Sequence, residues 1–223
     1  MTMETNKLIA RLAADATPVR PLAAPWVRML VWLAISLPYV AAVVLLMPPE
    51  VNLAQALRDK QFVVEQAATL ATAVMAAIAA FGSGVPGYDR RLFLLPLPPL
   101  ALWLASLGEG CVQDWLRAGA DGLHVRADWH CLLPAALIGI IPAVAMLILL
   151  RRGAPLLPRV TLALAALALA ALANFGLRLF HLGDVSIMVL FWHLGSAAVL
   201  SVIAAWFGPY VLRWRHDERL AGI

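Results

Sequence analysis

The side chains of this sequence that could do chemistry are few, and two cysteines, one of them next to a histidine, are the most suggestive. Cys111 and Cys131 flank a polar stretch, and His130 directly precedes the second cysteine. Three interpretations fit. The thiols form a disulfide if their Cα atoms come within about 4.4–6.8 Å. They form a redox- or metal-reactive pair if His130 or a helix N-terminus favours the thiolate. They join His130, His124 or His181 in a zinc site, although the spacing matches no standard zinc pattern.

Other chemical signatures are weaker. The sequence has no His-Glu-x-x-His, no phosphate-binding glycine loop and no Gly-x-Ser-x-Gly, so we predict neither a catalytic residue nor a cofactor. His193 lies inside the last apolar segment, where an ionisable residue suggests a transporter or channel. The alternative is an interhelical hydrogen bond to Asn174 or Ser201. Glu65 and Gln66, near one end of the second apolar segment, are expected to reach the outer membrane interface.

The elements that must position these residues are membrane helices. Of the 223 residues, 63% are hydrophobic and 13% are charged, whereas soluble domains have about 25% charged residues. This composition excludes a water-soluble globule. The net charge of +4 is scattered along the chain, which argues against direct nucleic-acid binding.

Six apolar blocks approach or reach the length of about 20 residues that crosses a hydrocarbon core. We therefore predict an all-α, polytopic six-transmembrane-helix bundle with spans at 27–47, 62–81, 92–107, 131–150, 160–180 and 185–210. Six crossings place both ends of the chain on one side of the membrane. Twelve of the 17 lysines and arginines fall on that side, which assigns it to the cytoplasm and both cysteines to the opposite, oxidising compartment.

The predicted domains are a cytoplasmic tail at 1–26, the bundle at 27–210 and a cytoplasmic C-terminal tail at 211–223. In the first tail Thr5 is suited to cap a short helix reaching to about residue 16, with Leu8, Ile9 and Leu12 as one apolar stripe. Such a helix lies on the membrane surface or enters a groove on a partner. Three prolines then hold the chain extended by about 25 Å, and this spacer favours a partner.

Over nearly its whole length the chain resembles the NrsF-type negative regulators of sigma-F, which are polytopic anti-sigma factors of proteobacteria. The resemblance rests on two motifs and on six spans with a cysteine at the head of the fourth. The motifs are a tail of Leu8-Ile9-x-x-Leu12 followed by Pro18-Val19-Arg20-Pro21-Leu22, and the turn Arg151-Arg152-Gly153-Ala154-Pro155-Leu156.

This resemblance implies a bacterial inner-membrane protein whose cytoplasmic tail sequesters an extracytoplasmic-function sigma factor. The expected partner-binding residues are Leu8, Ile9, Leu12, Val19, Arg20 and Leu22. It also implies that periplasmic thiols report heavy-metal or oxidative stress, with Cys131 the better match and Cys111 a candidate substitute for the second family cysteine, expected where this chain has Leu182. Cys131, Cys111 and His130 would then be the transient metal ligands. We expect the spans that carry the two cysteines to pack against the first span and so to reach the tail.

Overall fold

A computed structural model describes residues 2–14, 22–47, 53–85, 87, 89–119, 132–153, 157–180 and 195–212. Within these ranges the protein is helical and has no strands. The helices are α1 (Thr2–Ala14), α2 (Pro25–Leu46), α3 (Leu53–Ala56), α4 (Lys60–Gly82), a 3₁₀ helix (Arg90–Leu94), α5 (Leu97–Ala118), α6 (Leu132–Arg151), α7 (Pro158–Phe180) and α8 (Gly195–Val211).

Five segments of the described chain are helical, long and apolar enough to cross a membrane, namely Pro25–Leu46, Lys60–Gly82, Arg91–Gln113, Pro134–Arg151 and Pro158–Leu179. These match the first five predicted spans. The sixth is represented by the shorter apolar helix α8, because residues 181–194 lie outside the described ranges. An all-helical protein with several membrane-length helices is therefore confirmed, and the count of six remains a prediction.

The clearest differences from the predicted boundaries are at the end of α5 and the beginning of α1. Helix α5 continues eleven residues beyond the expected end at Leu107, because the polar segment that follows stays helical, with Gln113 donating to Glu109 one turn earlier at 3.3 Å. It stops at Gly119, whose φ of 62° suits a residue without a side chain. Cys111 thus lies within a helix rather than in a loop. Thr5 also lies inside α1, which begins at Thr2 in the described chain.

Helix α4 is the centre of the bundle and packs against α2, α5 and α7, while α7 also contacts α2, α6 and α8. Small residues line the α4–α7 contact and let the two backbones approach closely. Their fully buried alanines include Ala73, Ala76 and Ala80 on α4, and Ala168 and Ala171 on α7.

The register between α4 and α7 is set by polar contacts at both ends. The hydroxyls of Ser83 and Thr161 lie 2.6 Å apart at one end. At the other end Arg178 on α7 donates to both carboxylate oxygens of Glu65 on α4, at 3.1 and 3.0 Å. Because residue numbers rise along one helix as they fall along the other, the two helices are antiparallel.

Candidate functional site

The apolar stripe predicted on α1 is present and accessible. Leu8, Ile9 and Leu12 are 58%, 58% and 64% exposed. Glu4 in the first turn and Arg11 in the last turn have the signs that stabilise the two ends of a helix dipole. An amphipathic helix with an accessible apolar stripe has the form that lies on a membrane surface or binds in a groove on a partner protein.

The remaining predicted tail residues are described in part. Val19 and Arg20 lie outside the described residues. Leu22 is 39% exposed and lies beside Gly153, since a Cβ added to that glycine would be 3.4 Å from Cδ2 of Leu22. The structure thus brings together the end of the tail and the Arg151-Arg152-Gly153 turn, which are distant in sequence.

Arg28 joins the beginning of α2 to two other helices. It is one of the twelve basic residues that the sequence assigns to the cytoplasmic side, but only 4% of it is exposed. Its guanidinium donates to the carbonyl of Phe81 at 3.4 Å and to the carbonyl of Leu149, and it lies over the Phe81 ring at 4.7 Å. Both carbonyls belong to the last turn of their helices, where the helix dipole attracts a cation. A Cβ added to Gly153 would lie 3.4 Å from both terminal nitrogens of the guanidinium. We call Arg28, Phe81, Leu149 and Gly153 the arginine clasp.

The arginine clasp is one end of a series of hydrogen bonds from α2 to the backbone of α6. Three side chains of α2 each donate to a carbonyl of α6. They are Arg28 to Leu149, Trp32 Nε1 to Pro142 at 3.0 Å, and Tyr39 Oη to Leu137 at 2.6 Å. The first and last donors are eleven positions apart, or about 16 Å along the helix axis. Helix α2 follows the tail, and α6 starts one residue after Cys131. This series of hydrogen bonds therefore connects the helix that follows the tail to the helix that follows Cys131.

The predicted sensing thiols are described only in part. Cys111 is half-buried on α5. Cys131 and His130 lie outside the described residues, as do His124 and His181. The ranges that the structure covers contain no cluster of three histidine, cysteine or acidic side chains able to hold a metal. The disulfide, reactive-pair and metal interpretations therefore remain predictions.

The expected packing of the cysteine-bearing spans against the first span holds for one of them. Helix α6 packs against α2, whereas α5, which carries Cys111, packs mainly against α4. Any influence of Cys111 on the tail therefore has to pass through α4 before it reaches α2.

Sequence reasoning missed a buried ion pair. The expectation that Glu65 and Gln66 reach the outer interface is wrong, because both are buried against neighbouring helices. Glu65 pairs with Arg178, and the side chains are only 5% and 11% exposed. The sequence did contain one indication of this pair, because Glu65 and Arg178 are each a single charge near one end of an apolar block. Their pairing depends on α4 and α7 being antiparallel neighbours, which the sequence does not state.

The described helices add no support for a transporter or channel. His193, on which that alternative rests, lies outside the described residues. A cleft of about 160 Å³ between α6, α7 and α8 is lined by apolar side chains, including Met146, Leu162 and Leu169. Such a lining offers no polar path for an ion.

Comparison with protein families identifies a match over most of the chain. A family model described as NrsF, negative regulator of sigma F, matches residues 12–214 and so covers most of the chain. The matched region includes the end of α1, the arginine clasp and all the membrane-length helices. Curated proteins and solved structures contain no match to this sequence.

Proposed function

Because the chain belongs to the NrsF family of negative regulators of sigma F, we propose that it is an inner-membrane anti-sigma factor that holds an extracytoplasmic-function sigma factor through its N-terminal tail. The observation that carries this proposal is the accessible stripe of Leu8, Ile9 and Leu12 on a helix ahead of the first membrane-length helix. A tail so placed keeps its bound partner at the membrane surface.

The binding mode that fits this tail is a helix in a groove. Leu8 and Leu12 are four residues apart and share a face of α1, with Ile9 beside them. These three residues bury into the sigma factor, and Leu22, together with Val19 and Arg20, continues the contact towards the bundle. Leu22 contributes its outer side only, since its inner side faces Gly153.

The second half of the proposal is release under heavy-metal or oxidative stress. On the periplasmic side Cys131, assisted by Cys111 and His130, binds the heavy metal or is oxidised by the stress oxidant. This change shifts α6. The hydrogen bonds from Arg28, Trp32 and Tyr39 to α6 support this route, because a shift of α6 must change their geometry on α2. A coupling of about 1–3 kcal/mol weakens partner binding about 5- to 150-fold.

The tail proposal is tested by co-purification of the sigma factor with the full-length membrane protein. Replacing Leu8→Asp together with Leu12→Asp places two charges in the proposed contact. We expect the sigma-factor Kd to rise about 100-fold, because each lost apolar anchor contributes more than about 1.4 kcal/mol.

The matched control is Asn6→Asp together with Ala10→Asp. This pair has the same spacing, adds the same charge and lies on the opposite, exposed face of α1. It should retain the sigma factor. Undiminished retention by the Leu8/Leu12 variant would refute binding through the tail, and equal loss in both variants would show that the apolar stripe is not the determinant.

A further inference from the structure

Buried polar groups without hydrogen-bond partners surround the Glu65–Arg178 pair. Gln66 on α4, Trp103 on α5 and Asn174 on α7 are 8%, 1% and 4% exposed. Both amide atoms of Gln66 and of Asn174, Trp103 Nε1 and Arg178 Nη1 have no partner among the described residues. We call Gln66, Trp103, Asn174 and Arg178 the polar layer.

Helix packing places these residues at a similar depth. Asn174 is one turn before Arg178 on the same face of α7, and Arg178 is bound to Glu65, the neighbour of Gln66 on α4. On the other side of α4, Gln61 Nε2 donates to the carbonyl of Ser106 at 3.2 Å. Trp103 is one turn before Ser106 on α5. It therefore lies level with Glu65, which is one turn after Gln61 on α4.

The charges of the polar layer determine what it can bind. Glu65 neutralises Arg178 through two hydrogen bonds, so the pair has no net charge to attract an ion. The unpaired groups include acceptors, Oε1 of Gln66 and Oδ1 of Asn174, as well as donors. A molecule that satisfies them must be neutral and must both donate and accept hydrogen bonds.

We propose that the polar layer binds water molecules inside the bundle. A buried water typically makes about three hydrogen bonds to polar groups that would otherwise be unpaired. The layer contrasts with the opposite end of α4, where Ala76 and Ala80 are fully buried and Arg28 has carbonyl partners. The bundle is thus hydrated at the end that carries Glu65 and Arg178 and dry at the end of the arginine clasp.

Two buried tryptophans allow a direct test in the unmodified full-length protein. Trp103 Nε1 has no partner, while the equally buried Trp32 Nε1 donates to Pro142. In detergent micelles with ¹⁵N-labelled tryptophan, we expect the Trp103 indole proton to show a cross-peak to water. It should also exchange with D₂O about tenfold or more faster than that of Trp32, because exchange requires contact with water.

Trp103→Phe and Trp32→Phe identify the two signals through the peak that each removes. If either variant fails to fold, the remaining six tryptophans are assigned by the same substitution and the signal is found by elimination. A Trp103 proton with no water cross-peak and with exchange no faster than that of Trp32 would overturn the proposal.

Asn174→Leu provides a second readout. If the layer is hydrated, leucine removes hydrogen bonds to water and leaves the other groups unpaired, so the melting temperature falls below that of the unmodified protein. If the layer is dry, replacing an unpaired amide by an apolar side chain raises the melting temperature. A melting temperature at or above that of the unmodified protein would therefore contradict hydration.

Discussion

At the scale of single residues, Arg28 shows how a charge in an apolar helix is made tolerable. A buried cation needs nearby acceptors, and Arg28 finds two in the last turns of α4 and α6. Its planar guanidinium also lies over the Phe81 ring, a contact that a lysine ammonium makes less well. The residue is therefore a junction between three helices at the point where the tail enters the bundle.

We expect Arg28→Ala to lower the free energy of unfolding in detergent by about 2–3 kcal/mol, because hydrogen bonds to a charged group contribute about 1.5–3 kcal/mol. Arg28→Lys should fall between Arg28→Ala and the unmodified protein. Denaturant titration of the purified protein measures both.

Arg151→Ala is the matched control, since Arg151 is exposed and lies at the same end of α6 as Leu149. It should change the unfolding free energy by less than about 0.5 kcal/mol. Equal effects of Arg28→Ala and Arg151→Ala would mean that the arginine clasp contributes nothing to stability.

At the scale of helices, close backbone approach holds α8 against α7. A Cβ added to Gly208 would lie 2.6 Å from the carbonyl oxygen of Pro158 and 3.0 Å from the backbone nitrogen of Arg159. Backbone atoms cannot move aside as a flexible side chain does. The two helices pack at this distance only because Gly208 has no side chain.

We predict that Gly208→Ala lowers the unfolding free energy by about 1–3 kcal/mol through overpacking. The control is Gly139→Ala on α6, where the added Cβ would meet no atom within 4 Å. That substitution should instead raise stability by about 0.5–1 kcal/mol, because alanine favours helix more than glycine does. Thermal unfolding of the two variants should shift in opposite directions, and a shared direction would refute the close contact.

The ion pair between Glu65 and Arg178 is another contact between helices, joining α4 to α7. Neither charge has a partner within its own helix, and the ion pair forms only because α4 and α7 are antiparallel with Ser83 opposite Thr161 at the far end. Buried ion pairs give modest net stability but penalise any arrangement that separates them. We infer that this pair specifies the register of two helices whose alanine-rich faces alone would permit sliding.

At the scale of the whole molecule, the proposed function requires a signal to cross the bilayer from the thiols to the tail. The described connection is between α6 and α2, which share three side-chain hydrogen bonds. Cys131 directly precedes α6, while Cys111 is on α5, which mainly contacts α4. This arrangement favours Cys131 as the thiol that controls the tail.

We therefore expect cadmium to release the sigma factor from the unmodified full-length protein, with a 5- to 150-fold rise in Kd at a coupling of about 1–3 kcal/mol. Cys131→Ser should abolish the response and leave resting affinity unchanged, while Cys111→Ser should preserve at least part of it. The measurement is the amount of sigma factor that co-purifies before and after exposure. Release from Cys131→Ser to the same extent as from the unmodified protein would exclude this thiol as the sensor.

The amino-acid sequence by itself determined the helical fold, the approximate positions of five membrane-length apolar helices and the apolar stripe of α1. These properties depend on residues close together in the chain. Hydropathy over about 20 residues identifies a span, and three apolar residues within five positions define the stripe. The family resemblance was likewise readable from short motifs and their order.

Only the tertiary structure decided which distant residues meet. Arg28 bonds a carbonyl 121 positions away and Glu65 pairs with a residue 113 positions away. A sequence pattern shows that each charge is unusual in its apolar block, but it does not show which helices are neighbours or how they are aligned. Those contacts follow from side-chain packing among all the helices at once, and for that reason the arginine clasp and the polar layer became visible only in the folded chain.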